Sequence, residues 1–348
     1  MYHSIIVGYG LAGLCYAFQL KKRNRPFLII DHPSINGASQ ISSGLCNPFN
    51  FKRLTLAWRA PEFFPFAKEF FQSYEKQISG SLFKQMPIYK RLTSTGEINQ
   101  WSVKYNQPFF KSFFDAQIHK SFSPIGPHGH YGVIHNTFQI DLQWLFKSFL
   151  QTIDSSYYVK ETFNSNELKM DHSQVKYKRW TSQHIVFCQG YGLKSNPLTR
   201  YLPLIGNKGE RLVIRSDAIP TDKILKSKCY VIPRFKKHQF WVGATFDRHS
   251  KSVQTTSKSK QQLIDDLKQI FSVDYQIISH QSQIRPTVID RRPLLGKIPN
   301  HKRAFVFNGL GIRGIMMAPL LSKWLYHYIE KGVKLPEEVS IDRFNQFH

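Results

Sequence analysis

The chain has 348 residues, 41% of them hydrophobic and 20% charged, the composition of an ordinary globular protein with one large or two intimate domains. Its four cysteines (Cys15, Cys46, Cys188 and Cys229) are scattered with no C-x-x-C pair, which argues against a disulfide framework or a zinc site and fits a reducing compartment. The 48 basic residues against 23 acidic ones give a formal charge of +25. Such a field attracts polyanions such as nucleic acid or anionic lipid. The basic residues are spread along the chain rather than packed in one block, so a solvated basic surface is the simpler account of them. No run reaches the roughly 18 apolar residues that a membrane span requires, and the start lacks the basic segment of a secretion signal. The expectation is a cytoplasmic protein with no transmembrane segment.

In chain order, "HSIIV" (3–7) is a short apolar run that predicts a buried parallel strand. The turn "GYGLAG" follows, then a helix with Leu11, Leu14, Ala17, Phe18 and Leu20 at helical spacing, then a second strand, "RPFLIID" (25–31). Residues 61–78 predict an amphipathic helix with proline in its first turn and an aromatic face, suited to packing under a sheet or to a membrane or partner. "FQIDLQWLFKSFL" (138–150) predicts another helix, and "HIVFCQGYG" (184–192) a buried strand ending in glycine. "CYVIPR" (229–234) and "QFWVGATFD" (239–247) predict a hairpin, joined by the polar "FKKH". A polar loop at 250–260 leads to a helix at 259–271; near the end comes a strand, "RAFVFNGLG" (303–311), and a helix over 315–331 closed by Gly332. Strands interleaved with helices at both ends and a strand-rich middle suggest an α/β nucleotide domain interrupted by a second domain.

In "GYGLAG", Gly8 permits a tight turn, Gly10 lets the backbone approach a pyrophosphate, and Gly13 lets helix and strand pack closely. Leu11 and Ala12 open the helix, whose N-terminus favours negative charge. Asp31 stands where an acid accepts hydrogen bonds from ribose hydroxyls, which suits an unphosphorylated ribose. The motif implies a dinucleotide without distinguishing FAD from NAD.

Six separated blocks then stand in a telling order: "ASQISSGLCNP" (38–48), "IVFCQGYG" (185–192), "KGERL" (208–212), "CYVIPR…WVGATFD" (229–247), "IRPTVIDRRPLLG" (284–296) and "NGLGIRGIMMAPLL" (308–321). This pattern resembles the FAD-dependent oxidases of the D-amino-acid oxidase superfamily, in the glycine and sarcosine oxidase branch. The FAD domain of the bacterial enzyme that modifies wobble uridine in tRNA belongs to the same group. The resemblance runs from about residue 3 to 344, while residues 80–135 match no part of it. It implies a Rossmann-like FAD-binding domain (1–60, 138–206 and 285–348) with an inserted α+β substrate domain (61–137 and 207–284) carrying a large mixed sheet. It implies oxidation of a carbon–nitrogen bond in a small amino acid or N-substituted glycine, by hydride transfer to flavin N5 and hydrolysis of the imine. Molecular oxygen or another electron acceptor completes the cycle.

Carried over by the resemblance, Arg285 clamps the substrate carboxylate, Tyr230 assists it, Phe246 lines the pocket and Arg313 is a second pocket arginine. A guanidinium fork suits a carboxylate bidentately. Ser42, Ser43, Gly44 and Leu45 wrap the flavin and pyrophosphate, with Gly190 in a further cofactor-facing block. Gly309, Gly311 and Gly314 keep side chains off the flavin ring, and the helix after Arg313, from Ile315, turns its dipole toward the ring. No cysteine matches the one that holds flavin covalently in monomeric sarcosine oxidases, so non-covalent FAD is implied. Asn47, Lys52 and Arg53 form a basic stretch foreign to the pattern, which suggests a larger or more anionic substrate. The residues by themselves leave alternatives open: Arg285 as an ion-paired arginine, Tyr230 as core, and the second glycine turn as a simple strand-to-helix turn. For Arg313 the two roles stand even.

The leading expectation is an amine or amino-acid oxidase or dehydrogenase. A tRNA-modifying flavoenzyme that removes an N-carboxymethyl group from wobble uridine is the alternative that the basic charge favours, and a flavin-binding protein without turnover is a third. No metal is expected: the histidines are scattered, and His128 and His130 in "GPHGHYG" suit a loop.

Overall fold

The computed structural model describes residues 1–33, 37–123 and 128–347; Gly126 and Pro127 of "GPHGHYG" lie outside them. The apolar run near the start becomes the strand Tyr2–Val7, and it has parallel neighbours on both sides, Phe27–Asp31 and Trp180–Phe187. Tyr158–Lys160 extends one edge in parallel and Ala304–Asn308 the other. These strands read as near-continuous apolar runs because both faces of the array are covered. Register sets Val7 opposite both Phe187 and Ile30, and Phe187 opposite Val306, so the strands end together. Three short antiparallel strands, at 168–170, 175–177 and 294–297, complete an eight-stranded sheet.

A second eight-stranded sheet has the order Gln276–Arg285, Asn207–Arg215, Gln239–Gly243, Tyr230–Pro233, Ile224–Lys226, Ile88–Leu92, His130–Ile134 and Phe114–His119. It is mixed, because Ile224–Lys226 runs parallel to Ile88–Leu92 while the other neighbours are antiparallel. The segment 80–135 thus builds its far end, where the Trp101 ring stacks 4.1 Å from Phe114. Gly132 is glycine for a steric reason: a Cβ there would stand 2.5 Å from the Trp101 ring.

Among the described residues there are seven α-helices: α1 (Leu11–Lys21), α2 (Ala60–Glu75), α3 (Thr95–Tyr105), α4 (Pro108–Lys111), α5 (Leu142–Gln151), α6 (Ser257–Lys268) and α7 (Gly314–Lys331). The aromatic stripe of α2 turns inward. Phe63 packs 5.5 Å from Trp324 of α7 and Phe64 5.2 Å from Phe138, so the stripe is core. Each such ring, fully buried, is worth about 1.5–3 kcal/mol.

The expected helix over 138–150 begins later. Phe138–Ile140 is a strand held between Leu45–Cys46 and Phe83–Gln85, and Asp141 caps α5 by accepting from Trp144 N at 3.1 Å. The cap aspartate breaks the apolar run into two elements, a boundary that helical spacing alone misses. Likewise α6 starts at Ser257 because Thr256 caps it through Ser259 N. All four cysteines are buried and free, and among the described residues no helix is long and apolar enough to cross a membrane.

Candidate active site

A cavity of about 860 Å³ opens at the carboxyl ends of the parallel strands, the usual ligand position in such sheets. The second sheet supplies its facing wall through alternate residues, among them Gly209, Arg211, Trp241 and Arg285.

The first glycine turn borders this cavity through Gly8, Gly10, Leu11 and Ala12. Gly13 stands outside the lining and acts by packing: a Cβ there would lie 2.0 Å from Gly8 O, so strand end and helix meet only because it is glycine. Helix α1 opens with Gly10 as its N-cap, has no side-chain cap and no acid in its first turn. Leu11 N donates to Ser39 Oγ at 3.2 Å. Asp31 ends its strand beside the turn, where Oδ1 accepts from Tyr9 N at 2.9 Å and Oδ2 from Tyr158 Oη at 3.3 Å. Burial raises the Asp31 carboxyl above its ordinary range, and these donors offset part of that shift.

The second glycine turn reaches the same cavity through Gly311, Arg313, Gly314 and Ile315. Helix α7 also lacks a side-chain cap and a first-turn acid. Its N-cap residue is Arg313, whose guanidinium donates to Asn47 O and to Phe49 O, each at 2.6 Å. Those bonds tie the 47–49 segment to the start of α7. The Tyr230 phenol lies near this arginine; burial raises it well above its ordinary value, with the Arg313 charge and Asn47 opposing.

Arg285 ends its strand on the cavity wall with its guanidinium across Gly209, where a Cβ would meet Nη2 at 2.1 Å. Nη1 has only long contacts, to Asn207 Oδ1 at 3.4 Å and Thr245 O at 3.5 Å, and no carboxylate pairs with it among the described residues. Burial pushes it down to about 10, which leaves it cationic at neutral pH. Phe246 lines the mouth, 60% exposed, with Arg248 over its ring at 5.3 Å.

Ser42, Ser43, Leu45 and Gly190 also border the cavity. Gly44 and Gly309 do not; each serves close packing, with Cβ positions 2.0 Å from Ile140 O and 2.6 Å from Val288 Cγ2. The basic stretch behind "GLCNP" divides. Asn47 is buried on the wall, whereas Lys52 and Arg53 are exposed and border no part of the cavity, because Phe49–Asn50 folds back on Thr55–Leu56 and its turn faces solvent. They therefore give no support to a more anionic substrate.

Residues not singled out from the sequence include Ser39, Gly209 and Arg211. For Gly209 and Arg211 the signal was the period of two in "NKGERL", which sets Asn207, Gly209 and Arg211 on one face of a strand. His128 and His130 are exposed. Of the residues described, His3, His184 and Glu330 bring ligand-type atoms within 4.8 Å of one another, at the strand end remote from the cavity. There His3 Nε2 bonds Glu330 Oε1 at 2.7 Å and Arg25 lies 3.7 Å from the same carboxylate.

A family model described as FAD dependent oxidoreductase, DAO, matches residues 3–327. The chain belongs to this family. Membership implies FAD as the cofactor. The fold of this DAO-family chain is also that of iminodiacetate oxidase from Chelativorans sp. BNC1, with TM-score 0.80, 17% identity and 98% of each chain covered. Glycine oxidase from Geobacillus kaustophilus gives TM-score 0.79 and 18% identity over 99% of this chain and 97% of that one. L-proline dehydrogenase from P. horikoshii gives 0.76 and 15% over 99% and 98%. A 104-residue stretch is 29% identical to the tRNA 5-methylaminomethyl-2-thiouridine biosynthesis bifunctional protein MnmC of Idiomarina loihiensis, covering 29% of this chain and 17% of that protein.

The residues present fit FAD. A Cβ at Gly190 would meet nothing within 4 Å, one at Gly311 only Thr287 Oγ1 at 3.8 Å, and one at Gly10 only Ser39 Oγ at 3.3 Å. The wall is thus kept bare at three glycines, two of them beside helix openings whose N-cap residue makes no side-chain cap bond, positions that suit anionic or carbonyl oxygens.

Proposed function

We propose that this family member oxidises the carbon–nitrogen bond of a small amino acid or N-substituted glycine, with non-covalent FAD. The observation that carries the proposal is Arg285: a guanidinium held cationic on the cavity wall, with no carboxylate partner of its own among the described residues. A bidentate carboxylate satisfies that group and fixes the substrate's α-carbon, which is how positioning lowers a barrier. Bound FAD supplies the two-electron acceptor, and oxygen or another acceptor regenerates it. The chain's own residues divide the remaining work. The opening of α1 and Asp31 would hold the pyrophosphate and ribose, and Ser42, Ser43 and Leu45 would line the flavin's side of the cavity. Arg285 orients the substrate, Tyr230 and Phe246 shape its pocket, and Arg313 positions the 47–49 segment rather than touching the carboxylate. In domain terms the proposal keeps 1–60, 138–206 and 285–348 with the cofactor, and 61–137 and 207–284 with the substrate; the strands of the two large sheets divide along the same lines.

A second reading, action on a tRNA-borne N-carboxymethyl group, draws on the +25 charge and the stretch similar to MnmC. Anaerobic mixing of the FAD-loaded protein with sarcosine, glycine, proline, D-alanine and such a tRNA separates the readings. Bleaching by a small amine and its loss in Arg285→Lys supports the first; bleaching by the tRNA alone supports the second. A flavin that none of them bleaches leaves a binding protein without turnover, and the proposal fails.

A further inference from the structure

The second sheet carries another arginine that the proposed clamp does not use. Arg211 stands between Gly243 and Gln281 in the sheet register, with 6% of its surface exposed. It borders the main cavity and an adjoining chamber of about 80 Å³ beside Ser42, Ser43 and Trp241. Its Nη2 donates to Gln281 Oε1, whereas Nε and Nη1 find no acceptor among the described residues. The charges around it are no remedy. Arg234, across the small chamber, repels it, and Asp141, on the same chamber, is engaged in capping α5. Burying a guanidinium without an anion is costly, because desolvation penalises the charge and among the described residues only the Gln281 amide oxygen offsets it.

The cavity wall as a whole has the same bias. Arg211, Lys226, Lys228, Lys251, Arg285 and Arg313 border it, against the carboxylates of Asp31 and Glu161. Asp31 ends one strand of the first sheet and Glu161 follows another, and both are engaged: Asp31 by Tyr9 N, and Glu161 by Lys178 and the Tyr177 hydroxyl. The wall formed by the second sheet therefore presents cations and no carboxylate among the described residues. The Arg285 guanidinium lies across Gly209, two residues from Arg211 on the same strand face, a step of about 7 Å. One small molecule can reach both.

We infer that Arg211 receives a second carboxylate of the substrate, so that the molecule oxidised is a small dicarboxylic amine with one acid on Arg285 and the other on Arg211. The inference rests on the Arg285 clamp proposed above and names the substrate class for that same site. The test uses the full-length FAD-loaded protein and two ethers that cannot be oxidised at a carbon–nitrogen bond: methoxyacetate, with one carboxylate, and oxydiacetate, with two. Dissociation constants are measured by calorimetry and by flavin absorbance. The expected result is oxydiacetate binding at least about tenfold tighter than methoxyacetate, the scale of one additional charge-assisted pair. In Arg211→Met that preference collapses to about twofold, the statistical factor for two equivalent ends, while Arg211→Lys keeps part of it. Arg285→Met weakens both ligands together.

A wild-type preference near twofold overturns the inference, whatever the variants do. So does a preference that survives Arg211→Met, or an Arg211→Met protein that loses FAD affinity with the preference intact, since Arg211 then serves the cofactor. If Arg211→Met does not fold, Arg211→Gln, which can still reach Gln281, is held to the same criterion. Failure of the underlying clamp is a separate outcome: Arg285→Met then binds methoxyacetate as tightly as wild type.

Discussion

The openings of α1 and α7 are built alike and furnished differently. Each follows a strand of the same sheet through a glycine turn, lacks a side-chain cap and an acid in its first turn, and borders one cavity. At α1 the N-cap is Gly10 and the charge beside the turn is the Asp31 carboxylate, which accepts from Tyr9 N; at α7 the N-cap is Arg313, whose guanidinium is spent on the carbonyls of Asn47 and Phe49. The first opening is thus bare of side chain at its N-cap. The second is an anchored one, its arginine consumed in fixing a neighbouring segment. An arginine on a cavity wall is a ligand group only if the chain itself has not already satisfied it.

The largest effect is expected from closing the bare opening. Gly13→Val drives a side chain into Gly8 O, against a Cβ position already 2.0 Å away. Overpacking of this kind costs on the order of 3 kcal/mol or more when the obstacle is backbone. The purified protein should be colourless, with flavin absorbance near zero and a lowered melting temperature. Gly311→Ala at the other turn meets only Thr287 Oγ1 at 3.8 Å, and its strain comes from a φ of +53°. It should cost about 1–2 kcal/mol and, with one methyl added to the cavity wall, weaken FAD binding without abolishing it. Equal FAD loss in both variants would break the contrast between the two openings.

Next in size is the split between the two arginines. Arg313→Met forfeits two bonds from a charged donor, worth about 1.5–3 kcal/mol each, so the melting temperature should fall clearly. Its dissociation constant for methoxyacetate should move less than about threefold, whereas Arg285→Met, which removes the receiving group, should raise it on the order of a hundredfold. If Arg313→Met instead weakens methoxyacetate as strongly as Arg285→Met does, Arg313 contacts the carboxylate and the anchoring role is wrong.

The smallest expected effect sharpens the α1 side alone. The raised Asp31 carboxyl takes up its proton at a higher pH than a free aspartate, near 3.9. As pH falls through that raised value, the acceptor for a ribose hydroxyl is lost, so FAD affinity should weaken before ordinary aspartates titrate. Stability of the FAD-free protein moves the other way. A folded-state value above the unfolded one means that folding binds a proton, so Asp31 penalises the fold when ionised and the penalty lifts as pH falls. Asp31→Asn should remove the FAD-affinity step in a pH titration; a step that persists assigns it to another group.

Much of the site was legible in one dimension where function depends on local backbone. "GYGLAG" specifies a strand–turn–helix through three glycines, and Gly8, Gly10 and Asp31 border the cavity. Arg285 and Tyr230, singled out through their blocks, border the same cavity. Local signals also mislead where a cap intervenes, as Asp141 does inside an apolar run, and where a turn swings residues outward, as it does Lys52 and Arg53.

What the sequence determined by itself was the kind of fold, its family and the position of the two glycine turns. These rest on hydrophobic period, turn residues and spacing, which are properties of neighbours in the chain. What only the tertiary structure decided was which cations have partners. Arg313 is satisfied by carbonyls 264 and 266 positions away, while Arg285 and Arg211 come to one face of a sheet with donors left over. Hydrogen-bond satisfaction is a pairing between distant residues, so it is fixed only when the sheets and helices close around the cavity.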